Sequence, residues 1–141
     1  MYCQTTGDYR TVISGNWNNN ACWQTYNGTL WTGAINPPDY STANVITVSH
    51  EITLTANVRI DQTIIESTGK LIIPADKTLE VNNGVNEDIK LYGSIDWYGE
   101  LYLSGSLLYV YPEGVINILG TNNKIFRQGA GYLSNYGTIN W

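Results

Sequence analysis

Charge is scarce in this 141-residue chain: Asp, Glu, Lys and Arg make up 13% of it, about half the ~25% of an ordinary soluble domain. That shortage excludes a disordered acidic tail, a coiled coil and a charged helical bundle. The basic residues are Arg10, Arg59, Lys70, Lys77, Lys90, Lys124 and Arg127, scattered singly under a formal net charge of −5. No basic stripe is present to displace counterions from nucleic acid, so nucleic-acid binding is not expected. No apolar run approaches the ~18 residues of a membrane span, so membrane insertion is not expected either. No basic-then-apolar leader opens the chain. One histidine and two cysteines fall short of the four ligands of a structural zinc site. No metal and no other cofactor is expected.

What is abundant is turn-forming and β-forming. The chain has 14 Gly, 11 Tyr and 5 Trp, with 43% hydrophobic residues overall. Asn, Thr and Ser supply most of the polar positions. This composition favours an all-β fold, one domain or at most two. A chain of this size buries roughly 68–70% of its unfolded surface. The pattern changes near residue 44. Residues 1–44 carry Trp17, Trp23, Trp31, the run Asn18-Asn19-Asn20 and the break Pro37-Pro38-Asp39, and read as an irregular aromatic cap. From Val45 onward, short alternating stretches such as Val45–Val48, Ile52–Leu54, Val58–Ile60, Leu79–Val81 and Leu101–Leu103 read as strands.

One pattern recurs in that second part: glycine, any residue, apolar, any residue, apolar. It begins at Gly69, Gly93, Gly114 and Gly137, with spacings of 24, 21 and 23 residues. The closest internal match is Tyr92–Trp97 against Tyr136–Trp141. A period of this length, with short strands and glycine corners, predicts a β-solenoid whose coils stack about 4.8 Å apart. Residues 45–141 then form about four coils and a rod of roughly 20 Å. Leu71, Ile95, Ile116 and Ile139 are expected to form one inward column, and Ile73, Trp97, Ile118 and Trp141 the next. Asp96, Asn117 and Asn140 are expected to form an outward polar ladder. Glycine supplies either a positive φ or a tight corner before each strand. A β-sandwich is the alternative, but it does not require the same residue class every coil.

Few residues suggest chemistry. His50 lies beside Glu51 with no nucleophile motif nearby and reads as a turn histidine. Glu87-Asp88 and the Asp96/Glu100 pair could serve glycoside cleavage, and Asp96, Glu113 and Asn117 could hold calcium, but solvated ladder residues explain them as well. Cys3 and Cys22 are a disulfide candidate. The bond would close a loop of about 20 residues, worth roughly 3 kcal/mol in the chain-entropy model. By alternation Tyr92, Tyr98 and Tyr102 point outward, and Tyr136 falls in the register of Tyr92 two coils along. Such tyrosines can bind a glycan, meet a protein partner or simply surface a sheet. The final strand, with Ile139 and Trp141, has no cap after it, so it leads into further coils or pairs with another molecule, head to tail in the simplest case.

The opening Tyr2–Arg10, Ser14-Gly15-Asn16-Trp17-Asn18, Cys22-Trp23-Gln24, Tyr26-Asn27-Gly28 and Trp31, followed by Asn44–His50, Ile52–Leu54, Asp61-Gln62 and Gly69–Leu71, resembles the N-terminal portion of large secreted surface proteins of Bacteroidota. Those are exported by the type IX system and contain G8-like right-handed parallel β-helix repeats. The resemblance implies an extracellular or cell-surface location and a scaffold or adhesive role, and carries no catalytic motif over. The expected function is therefore a non-enzymatic structural or adhesive solenoid, possible as a filament subunit. Its expected partners are copies of itself or other surface proteins. A carbohydrate-binding module is the alternative, and a polysaccharide-active enzyme a more distant one.

Overall fold

A computed structural model describes residues 3–141; Tyr2 of the opening motif lies outside the described residues. The fold is a β-solenoid of about four turns, and no α-helix occurs among the described residues. Each full coil contributes one strand to each of three sheets. The first coil comprises β5 (Ile46–Val48) in the first sheet, β6 (Glu51–Thr53) in the second and β7 (Val58–Ile60) in the third, and the second coil β8 (Thr63–Ile65), β9 (Lys70–Ile73) and β10 (Thr78–Asn82) in the same order. The third coil is β11 (Ile89–Leu91), β12 (Ser94–Trp97) and β13 (Glu100–Ser104), and the fourth β14 (Leu107–Val110), β15 (Val115–Ile118) and β16 (Ile125–Gly129). A last partial coil adds β17 (Tyr132–Asn135) and β18 (Thr138–Asn140). Neighbouring coils pair in parallel throughout, which rules out the antiparallel sandwich.

The expected columns are present. Leu71, Ile95, Ile116 and Ile139 are in register, as are Ile73, Trp97 and Ile118. Leu71, Ile95, Ile116, Ile73 and Trp97 are buried, while Ile118 and Ile139 at the ends of the two columns are half-buried. Trp141 does not extend the second column: it follows β18, whose pairing ends at Asn140, and is 94% exposed. The polar ladder forms too. Asn117 Nδ2 donates to Asp96 Oδ1 at 2.8 Å, and Asn140 Nδ2 to Asn117 Oδ1 at 2.9 Å.

The glycine column has a different cause from a positive φ. A Cβ at Gly93 would lie 2.2 Å from the carbonyl oxygens of Glu66 and Gly69, and one at Gly137 2.2 Å from that of Gly114. None of Gly69, Gly93, Gly114 or Gly137 has a positive φ. Glycine is needed there because successive coils bring their backbones together at one corner, leaving no room for a side chain.

The first 44 residues are less irregular than their composition suggests. β1 (Tyr9–Thr11) and β2 (Gly15–Asn16) pair in parallel with β5 and β6, so they form an incomplete first coil. A single 3-10 turn at Asn20–Cys22 leads into β3 (Trp23–Tyr26) and β4 (Trp31–Gly33), which run antiparallel and close the sheet begun by β1. Short strands rich in Gly, Asn and Thr lack the apolar alternation that marks the later ones. Trp17 and Trp23 close this end of the core. Both are almost fully buried, with ring centroids 4.8 Å apart. Each indole nitrogen is satisfied, Trp17 Nε1 by the Pro38 carbonyl and Trp23 Nε1 by that of Trp17.

The disulfide is not formed. Cys22 is fully buried in the core, whereas Cys3 is exposed near the chain start, and both thiols are free. The buried position of Cys22 beneath the cap makes it a small apolar core residue.

Candidate functional site

Alternation separates inward from outward residues, but a three-sided coil has three outward faces. The four outward tyrosines therefore do not share one surface. Tyr98 sits at the corner between the second and third sheets, against Gly120. Tyr102 lies on the third sheet under the Arg127 guanidinium, 4.5 Å from its ring centroid. Only Tyr92 and Tyr136 come together, and they do so through two tyrosines that period counting does not reveal.

The connecting residues are Tyr111 and Tyr109. Each of Tyr92, Tyr111 and Tyr136 directly follows a strand of the first sheet. Their amides donate to Ile65, Leu91 and Val110 of the preceding coil, each at 2.9 Å. The rings of Tyr92 and Tyr111 stack at 4.1 Å with 24° between planes. Tyr109 stacks on Tyr136 at 5.1 Å and 19°, and tilts against Tyr111 at 4.5 Å. Tyr111 is hidden from a repeat search because it lies 19 residues after Tyr92 and 25 before Tyr136. The usable signal is its place after the first-sheet strand of its coil.

Stacking changes what these rings offer. Centroids at 4.1 Å mean that Tyr92 and Tyr111 cover each other's faces, so the column presents rims and hydroxyls rather than a flat shelf. The uncovered face of Tyr92 is the one toward the preceding coil. Removal from water pushes the Tyr92 phenol up to about 12, helped by its hydrogen bond to Tyr111 and by the charges of Glu113 and Glu87. Burial also raises Tyr109, with Tyr136 contributing.

Two joined grooves run over the first sheet, and one of them reaches this ladder at Tyr92. One, of about 460 Å³, is lined by Ile64, Glu66, Ser67, Thr68, Tyr92 and Glu113. The other, of about 290 Å³, runs past Arg10, Trp31, Thr47 and Ser49 and meets the first at Ile64 and Glu66. The outward column beneath them is Arg10, Thr47, Ile64, Lys90, Tyr109 and Ser134. Arg10 donates to Gln24 Oε1 and stands 4.3 Å over the Trp31 ring. Ser49 Oγ donates to Glu66 Oε2 at 2.5 Å.

The other chemical candidates fall elsewhere. His50 Nδ1 and the Thr11 hydroxyl share a hydrogen bond of 2.9 Å, so the turn histidine is held by a side chain. Glu113 lines the groove beside Tyr92, whereas Asp96 pairs with Asn117 and Lys70. Among the described residues no group of three or more His, Cys, Asp and Glu is placed to hold a metal ion. Glu87 pairs with Lys90 at 3.7 Å.

Asp88 is fully buried at a corner between coils. It accepts from the Leu107 amide at 2.7 Å, the Gly84 amide at 2.6 Å and Gln62 Nε2 at 3.2 Å. Burial, aided by the neighbouring Asp61, holds its carboxyl above the ordinary aspartate range despite the amide donors. A raised carboxyl binds its proton more tightly folded than unfolded. Its contribution to stability is therefore fully present below the unfolded value and is lost as pH rises through the folded value. We expect Asp61→Asn, which removes the neighbouring charge, to flatten this loss. Thermal melts of both proteins from pH 4 to 7 measure it; parallel melting curves across that range would contradict the assignment.

No protein-family model, curated protein or solved structure matches this chain. Its functional reading therefore rests on its own faces and ends.

Proposed function

We propose that this protein is a non-enzymatic structural or adhesive solenoid that assembles through its C-terminal end. The observation that carries this reading is the contrast between the two ends. At the N-terminal end the aromatic cap seals the core. At the other end, β16, β17 and β18 are the outermost strands of their sheets. The inward columns that are sealed one coil earlier at Leu101, Leu108 and Ile116 end in Phe126, 41% exposed, and in half-buried Leu133 and Ile139. Unpaired strand edges over an open apolar core are a template for strand addition.

For the 141-residue chain, the occupant we assign to this end is a second copy. Because the N-terminal end is closed by its cap, it offers no open coil to match. That favours a tail-to-tail pair, antiparallel across the joint, over a head-to-tail filament. The 141-residue chain is expected to form dimers in light scattering and sedimentation over a concentration series. Phe126→Lys and Leu133→Lys should return it to monomer without lowering its melting temperature when dilute. A wild-type chain that stays monomeric at several hundred micromolar overturns the reading, as does a polymer that grows without limit.

A further inference from the structure

We propose that the two joined grooves on the first sheet bind an extended, uncharged saccharide chain. The argument goes beyond end-to-end assembly and uses a different surface.

The site has an aromatic ring at each end and hydroxyl and carboxylate groups between them. Trp31 lies toward one end, packed on Arg10; Tyr92 lines the groove toward the other, with one ring face covered by Tyr111. Arg10, Thr47, Ile64 and Lys90 are successive positions of one column. Trp31 belongs to β4, five strands from β11 in the order of the sheet, and its ring packs against the Arg10 guanidinium from β1, so the two rings are about three to five strand spacings apart, on the order of 14–24 Å along the rod. That is the length of a short oligosaccharide. A pyranose has apolar C–H faces and a rim of hydroxyls. Its faces suit the Trp31 and Tyr92 rings, and its rim suits Ser49, Glu66 and Thr68.

The lining also argues against other ligands. A peptide strand adds to a sheet edge, but β5, β8 and β11 under the grooves have both edges paired. An anionic chain would meet Glu66 and Glu113, while the two cations of the column are already engaged, Arg10 by Gln24 and Trp31 and Lys90 by Glu87. Uncharged sugars meet neither obstacle.

The test is native affinity electrophoresis of the full chain in gels containing hydroxyethylcellulose, xylan, laminarin, galactomannan or polygalacturonate. At least one of the four uncharged polymers should retard the protein. Tyr92→Ala and Trp31→Ala should each weaken that retardation at least tenfold. Tyr102→Ala, on another face, should leave it unchanged. Ser67→Arg fills the groove from an exposed turn and should abolish binding without disturbing the ladder, which covers the case in which Tyr92→Ala unfolds the corner. The proposal is overturned if no uncharged polymer retards the protein, if polygalacturonate alone does, or if retardation survives Tyr92→Ala, Trp31→Ala and Ser67→Arg. End association can fail without affecting any of these readouts.

Discussion

Replacing Gly93 by alanine is expected to destabilise the fold by about 3 kcal/mol, near the upper part of the range for overpacking a tight site. The added methyl would face two backbone carbonyls at 2.2 Å, from Glu66 and Gly69. Neither can swing aside as a side chain could. The Gly69 side of the contact is itself part of the ladder, since its carbonyl accepts the Ser94 amide at 3.0 Å. Relieving the clash therefore means separating two coils. The expected drop in melting temperature is about 10 °C. Gly33→Ala is the control. A Cβ there meets nothing within 4 Å, and its φ is not positive. That change should be neutral or stabilise by a few tenths to about 1 kcal/mol, through the lower entropy of the unfolded chain. Equal melting of Gly93→Ala and wild type would mean that the corner is not packed as described.

Ile95→Ala should cost about 3–4 kcal/mol, because the side chain is fully buried between Leu71 and Ile116 with coils on both sides. The surrounding ladder is fixed by backbone hydrogen bonds above and below, so it cannot collapse far into the cavity. Ile139→Ala removes the same atoms from the same column at the open end, where the side chain is only half-buried. We expect a loss below about 1 kcal/mol in dilute solution. If a second copy covers that end, the cost of Ile139→Ala should grow with protein concentration, while that of Ile95→Ala stays constant. Urea titrations at two concentrations distinguish these behaviours. Equal costs at the two positions would contradict the difference in burial.

These two residues also show how the repeat becomes a fold. The glycine at 93 and the alternating Ile95 and Trp97 are visible as letters, and their recurrence every 21 to 24 residues reflects the stacking of one coil on the next. The backbone repeat of a solenoid forces equivalent residues into columns, so period and alternation together name the core. The same reasoning reaches the Asp96, Asn117 and Asn140 ladder. It does not separate the two possible reasons for a glycine. Positive φ and close approach leave the same letter, and only the positions of the Glu66 and Gly69 carbonyls distinguish them.

The sequence by itself determined the all-β class, the coil repeat, the inward columns short of Trp141, and an aromatic cap in which Trp17 and Trp23 are buried while Trp31 is not. These depend on local alternation and on a repeat that survives small changes of loop length. The tertiary structure alone decided three things. It placed β1 and β2 in the stack, since pairing to β5 and β6 leaves no mark in a Gly- and Asn-rich stretch. It kept Cys3 and Cys22 apart, because sequence distance does not report which thiol enters the core. And it sorted the tyrosines, since alternation is blind to the corners of a three-sided coil. Tyr98 and Tyr102 turn away around those corners, while Tyr109 and Tyr111, irregularly spaced along the chain, complete the stack between Tyr92 and Tyr136.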